Sequence, residues 1–125
     1  MKEIIAIIRP KKVGATKEAL EKLGFPSLTA VSVIGRGRQR GIAAEMGYDF
    51  DLHPELLGQG KSGGMKYIPK RMLTVVVSNE EVDQVVDTII KVNQTAQIGD
   101  GKIFVCPLDN AVRVRTDESG NEALV

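Results

Sequence analysis

Two short clusters in this chain join glycines to basic side chains. Gly35, Gly37 and Gly41 punctuate GRGRQRG (35–41), which also carries Arg38 and Gln39. Gly99-Asp100-Gly101-Lys102 forms the second cluster. Glycines let successive backbone N–H groups converge on an anion with no Cβ in the way. Nearby basic side chains would complete a polyphosphate site, Arg through its planar fork and Lys as a point charge. In a strand, residues two apart share a face, so Arg113 and Arg115 of NAVRVR would point together. Lys70, Lys102, Arg38, Arg113 and Arg115 could thus converge, more positive charge than a chain of net charge +1 needs for solubility. Two readings stay open: a phosphate site, or two glycine turns with solvated basic residues, because short Gly-rich matches recur by chance. Neither cluster is a Walker A loop, and GRGRQRG fits GxGxxG only without its last glycine.

Other chemistries find less support. His53 is the single histidine, so a multi-histidine metal site is excluded. Asp49, Asp51 and Glu55 match no calcium-loop spacing, and Cys106 reads as a small apolar residue in a strand. No Ser/His/Asp or Cys/His constellation assembles, which disfavours covalent catalysis; the expectation is a protein that is not an enzyme. The balanced charge argues against nucleic acid as a partner. With 4% aromatic residues, and Phe104 the only one in the predicted core strands, a single-strand RNA platform is poor. One cysteine fits a reducing cytosol. No apolar run approaches a membrane span and no signal-peptide pattern opens the chain, so it is expected to be cytoplasmic and not inserted in a membrane.

The elements that must position these residues follow from periodicity. KEIIAIIR (2–9) is a near-continuous β-branched run, as a buried strand requires. Pro10 suits a helix start, and Val13, Thr16, Leu20 and Leu23 share one helical face before Gly24 stops it. LTAVSVIGR (28–36) and RMLTVVV (71–77) read as strands. Ser78-Asn79-Glu80-Glu81 matches a capping box ahead of Val82, Val85, Val86, Ile89 and Ile90 at helical spacing. Ile98-Gly99-Asp100-Gly101 breaks that helix. KIFVCPL (102–108) follows as a strand, and 110–115 as a short one.

This order predicts one domain over 1–125, α+β, a ferredoxin-like βαββαβ sandwich with a long loop between strands 2 and 3 and a short C-terminal strand. The second sheet face would be apolar and uncovered, which predicts an oligomer. The segment from Gly35 to Lys70 has no lasting periodicity and exceeds the length of an idle connection. It carries Met46, Tyr48, Phe50, Leu52, Leu56 and Leu57 among acids, with Pro54–Leu57 able to start a short helix. These residues either dock on a partner or pack on their own domain.

At these residues the sequence resembles the nitrogen regulatory protein PII family over nearly its whole length. The resemblance rests on IIAIIRPKKV, GRGRQRG, IPK, DTIIKVNQTAQIGDGKIFV and AVRVRT. It implies a homotrimer binding ATP or ADP between subunits, with a T-loop at about 37–69. Gly35, Gly37, Arg38, Gln39, Gly99, Asp100, Gly101 and Lys102 would line the nucleotide site. Arg113 and Arg115 would reach the phosphates and Thr29 the adenine end. Gln39 would also ligate Mg²⁺, which bridges ATP to 2-oxoglutarate, while Lys70 pairs with the distal carboxylate and the Gly41 backbone helps hold it.

The departures matter as well. The family usually has Thr-Gly before IGDGK; here it is Thr95-Ala96. Thr74 replaces a glutamate common in the strand after the T-loop, which puts nucleotide hydrolysis in doubt. The T-loop is about a dozen residues longer than usual and lacks a clear match to the modified tyrosine, Tyr48 being nearest. The long loop, KRMLTVVV and KVNQT look like the nitrogenase-associated branch. Its members act with a second PII-type subunit and inhibit dinitrogenase until 2-oxoglutarate relieves them. The alternative is a regulator of an ammonium transporter or another nitrogen-assimilation target, though no counterpart of the plugging arginine is evident.

Overall fold

The structure, a computed structural model, describes residues 1–37 and 67–124. Strand β1 (Lys2–Ile8) is central because every second residue is apolar and inaccessible: Ile4, Ala6 and Ile8 are all buried. It pairs antiparallel on one side with β3 (Tyr67–Val77) and on the other with β4 (Gly101–Pro107); β2 (Thr29–Arg36) flanks β3. The order is β2-β3-β1-β4. With helix α1 (Val13–Leu23) between β1 and β2 and helix α2 (Val82–Asn93) between β3 and β4, this is the ferredoxin-like α+β arrangement.

One sheet face and the two helices make the core. Ile4, Ala6, Ile8, Leu73, Val75 and Val77 meet Leu20 of α1 and Val85 and Ile89 of α2. Burying each of the Val, Leu and Ile side chains contributes about 1.5–3 kcal/mol before chain entropy is set against it. Asn93 joins the helices, its Nδ2 donating to Thr16 Oγ1 at 3.0 Å. Pro10 opens a single 3-10 turn ahead of α1, and Gly24 ends that helix in the left-handed region. Ser78 N–H reaches Glu81 Oε2 at 3.4 Å, so the capping box forms as its spacing predicted. The register puts Ile5, Ile7, Val31, Met72 and Phe104 on the other face, and none of them joins the core cluster. Val31 and Phe104 are nearly half exposed.

Two boundaries differ from expectation. Strand β3 starts at Tyr67 rather than 71, so residues 67–69 belong to the sheet and not to the loop. Beyond Ile8 it continues as a two-stranded ribbon with β2, Arg36 opposite Tyr67. Pro69 is tolerated there because β1, which would flank its other side, has already ended. The extension also adds Tyr67, stacked beneath Arg36 at 5.9 Å, to the aromatics in strands. Helix α2 ends at Asn93, ahead of the Ile98–Gly101 break.

The short C-terminal strand expected at 110–115 is a turn with a single bridge, Val112 to Ser119. Arg113 N–H donates to Glu118 O and Asp117 N–H to Arg113 O, with Asp117 at φ +60°. Closing the chain on itself here removes the alternation that would have set Arg113 and Arg115 on one strand face.

Candidate functional site

The register gathers the charged residues at one end of the sheet. Ile8 is opposite Arg71 on one side and Gly101 on the other, so the next row reads Lys70, Arg9, Asp100. Arg9 is 5% exposed and Lys70 9%. A buried cation needs partners, and both find them in the turn before β4. Arg9 Nη1 donates to Asp100 Oδ1 at 2.5 Å and Nη2 to the carbonyl of Ile98 at 3.0 Å. Lys70 Nζ donates to the carbonyl of Gly99 at 2.7 Å.

Asp100 is the hub of that turn. Its Oδ2 accepts the backbone N–H groups of Thr95 at 2.7 Å and Ala96 at 3.1 Å, and its Oδ1 also accepts the Thr95 hydroxyl. Burial alone would push the carboxyl up. The hydrogen bonds from the Thr95 side chain and backbone, then the bond and charge of Arg9, outweigh it and hold the group far below the usual carboxylate range. Both oxygens are thus engaged inside the protein, so the Asp100 side chain shapes the turn.

Gly101 fixes the turn's exit. Its φ is +122°, and a Cβ built there would lie 2.0 Å from the carbonyl oxygen of Ile7. No residue with a side chain fits. Ala96, in the left-handed region at φ +68°, holds a conformation that costs a non-glycine residue about 1–2 kcal/mol. This is where the Thr95-Ala96 departure has its consequence.

The residues singled out in the sequence therefore fall into two groups. Lys70, Gly99, Asp100, Gly101 and Lys102 come together at one end, with Gly35 packed beside Lys70, its would-be Cβ 3.9 Å from Lys70 Cγ. Gly37 follows on from β2 at the same end. Thr29 lies opposite Thr74, four residues down β3 from Lys70, and lines a cavity of about 510 Å³ with Phe25, Leu28, Val76 and Leu124. Arg113 and Arg115 belong to the opposite end. The chain leaves β4 at Pro107, opposite Lys2, and Leu108 N–H donates to Met1 O. Seven residues of strand, roughly 24 Å, separate the Val77 row from the Lys70 row. Arg113 is held there by Glu118 Oε1 at 2.8 Å and the Glu122 carbonyl at 2.9 Å. Arg38, Gln39 and Gly41 lie outside the described residues, as do Tyr48, His53, the 49–55 acids and the helix start at 54–57.

Sequence reasoning missed Arg9 and Thr95. Arg9 carries a faint signal, a charge closing an apolar strand just before a proline. Thr95 stands out only through the family's Thr-Gly pattern, and its bonds to Asp100 appear with the folded turn. Among the described residues no group of His, Cys, Asp and Glu could hold a metal, and no helix is long and apolar enough to cross a membrane.

The family profile described as "Nitrogen regulatory protein P-II" matches residues 1–118, nearly the full length. The chain belongs to the PII family. Its relatives include "Nitrogen fixation nifHD1 region GlnB-like protein 2" of Methanosarcina barkeri, 56% identical over 124 residues and 99% of each chain. The "Nitrogen fixation nifHD region glnB-like protein 2" of Methanococcus maripaludis is 54% identical, over 99% of this chain and 100% of its own. The crystal structure of Arabidopsis thaliana PII bound to citrate superposes with a TM-score of 0.71 at 30% identity, covering 98% of this chain and 90% of that one. Within the PII family, the resemblance to the nitrogenase-associated branch is carried by these relatives.

Proposed function

We propose that this PII protein senses ATP or ADP together with 2-oxoglutarate in the cytoplasm and regulates nitrogen fixation through its T-loop, binding and inhibiting dinitrogenase until 2-oxoglutarate relieves it. The observation that carries the ligand reading is the meeting of buried Lys70 with the Gly99–Lys102 turn at the mouth of that loop. The names of the nifHD-region relatives support the target.

The site's chemistry fits an anionic nucleotide. The turn is glycine-lined and Lys102 follows it directly, opposite Ile7. Arg113 and Arg115 stand too far away to serve the same bound molecule within one chain. A second chain would bring its C-terminal turn to the first chain's glycine turn, with the apolar face of Ile5, Ile7, Val31, Met72 and Phe104 as the surface that joins them. A homotrimer, or a mixed oligomer with a second PII-type subunit, satisfies both requirements. Mg²⁺ would arrive with the phosphates and be held by Gln39, since the Asp100 carboxylate is already occupied. Gln39 and the Gly41 backbone would complete the 2-oxoglutarate site beside Lys70.

The protein has no catalytic task in this reading. Ligands at the base of the T-loop shift its conformational balance through their different affinities for the loop states, and the loop admits or refuses the target. Calorimetric titration of 2-oxoglutarate with and without Mg-ATP tests the sensor. Binding that requires Mg-ATP is expected; none in either condition removes the 2-oxoglutarate roles of Gln39 and Lys70. Pull-down from nitrogen-fixing cells should recover dinitrogenase, and recovery of an ammonium transporter without it would replace the target.

A further inference from the structure

The cavity beside Thr29 takes part of its lining from the very end of the chain. Thr29 and Thr74 are direct partners across β2 and β3, so two hydroxyl-bearing side chains share one sheet face there. Phe25 and Leu28, from the connection between α1 and β2, supply an apolar wall that also packs on the core. Ala123 and Leu124 supply another, and they do not join the core cluster. They sit on a five-residue 3-10 turn, Gly120–Leu124, in which no residue is fully buried. A chain terminus ordinarily frays unless it is tied down. This one is tied twice. Gly120 N–H donates to the Ala111 carbonyl and to Asn110 Oδ1, each at 3.0 Å. Two residues on, the Glu122 carbonyl accepts Arg113 Nη2 at 2.9 Å. Ala123 and Leu124 are thereby delivered half-buried against the cavity.

We propose that this last turn is a wall of the base pocket, with Leu124 and Ala123 covering a purine whose edge meets Thr29 and Thr74. Apolar walls with a few placed hydroxyls suit a flat heteroaromatic ring, apolar over its faces and polar at its rim. The fold does not need this wall, since the core closes without it. Its contribution goes to the guest. The end of the chain thus sets how tightly the base is held, separately from the glycine turn that serves the phosphates. The proposal rests on the nucleotide reading given above, in which Thr29 stands at the adenine end.

Calorimetric titration with ATP, ADP and inorganic tripolyphosphate, each with Mg²⁺, tests it on three proteins: the full chain, Leu124→Ala, and a chain ending at Ser119. Neither change touches the core, so both variants are expected to fold. Leu124→Ala should weaken ATP and ADP by about tenfold, the worth of the apolar contact it removes. Tripolyphosphate, which carries no base, should bind Leu124→Ala as it binds the full chain. The shortened chain should lose at least as much affinity for both nucleotides. Unchanged ATP affinity in both variants overturns the wall and leaves the nucleotide reading standing. Equal losses for ATP and tripolyphosphate in Leu124→Ala overturn it as well, because the turn would then act on the phosphates. A full chain that binds neither nucleotide removes the reading and the wall together.

Discussion

The two ends of the sheet treat their basic residues in opposite ways. At the Lys70 end, Arg9 and Lys70 are buried, their donors aimed at one turn, and that turn is locked by a glycine that admits no Cβ. At the far end, Arg113 is tied to a partly exposed Glu118, Arg115 is exposed, and Val114 between them is 99% exposed. The first end is preorganised within its own chain. The second presents most of its groups outward. In this chain, therefore, the buried charged cluster is built into the sheet, and the exposed basic residues are carried on a turn.

Substitutions can break this contrast, beginning with the largest effect. Gly101→Ala sets a Cβ against the Ile7 carbonyl at a positive φ, and is expected to destabilise by about 3 kcal/mol or more. Urea unfolding measures it, and a loss below about 1 kcal/mol would mean the turn is less rigid than described.

Arg9→Met leaves the Asp100 carboxylate without its ion pair and should cost about 2 kcal/mol near neutral pH, below the full figure for a buried pair because Asp100 keeps some solvent contact. The pH dependence sharpens the test. Because the folded Asp100 carboxyl is held below its ordinary value of 3.8, its stabilisation is fully present above that pH and fades as pH falls toward the folded value. The gap between wild type and Arg9→Met should therefore narrow below about pH 4. A gap that stays constant from neutral pH into strong acid would show that Arg9 acts by packing alone.

Ala96→Gly should stabilise the same turn by about 1 kcal/mol, because it relieves a left-handed alanine. A melting temperature that falls instead would place the benefit of the alanine in the unfolded chain. The smallest effect is expected at the other end. Arg113→Ala, removing a partly exposed ion pair, should change stability by no more than about 1 kcal/mol while weakening ATP binding by about 1.5–3 kcal/mol. Unchanged ATP affinity would mean that Arg113 does not reach the phosphates.

Much of this was legible in the sequence, for definite reasons. Alternation in KEIIAII and the i, i+3, i+4 spacing from Val82 to Ile90 are local signals that the tertiary structure leaves intact, so the strands, helices and topology follow from them. The glycines of GDGK point to their turn because positive φ is a backbone property. The C-terminal turn was misread because AVRVR alternates as a strand does, and what closes it is Asp117 in the left-handed region, outside that pattern. Arg9 went unnoticed because its partner is 91 residues distant and a charge beside a strand end ordinarily meets water. The ribbon from Tyr67 to Lys70 was hidden by Pro69, which breaks a central strand and is tolerated here beside a vacant edge.

The Ile7 carbonyl has a consequence for heritable variation. Every amino acid other than glycine carries a Cβ, and at position 101 that atom would lie 2.0 Å from a backbone oxygen. Any single-base change in the first two places of a glycine codon introduces such a residue or a stop. Drift at that codon is thereby confined to its third, synonymous base, and the identity of one residue is fixed by the width of the gap to the neighbouring strand.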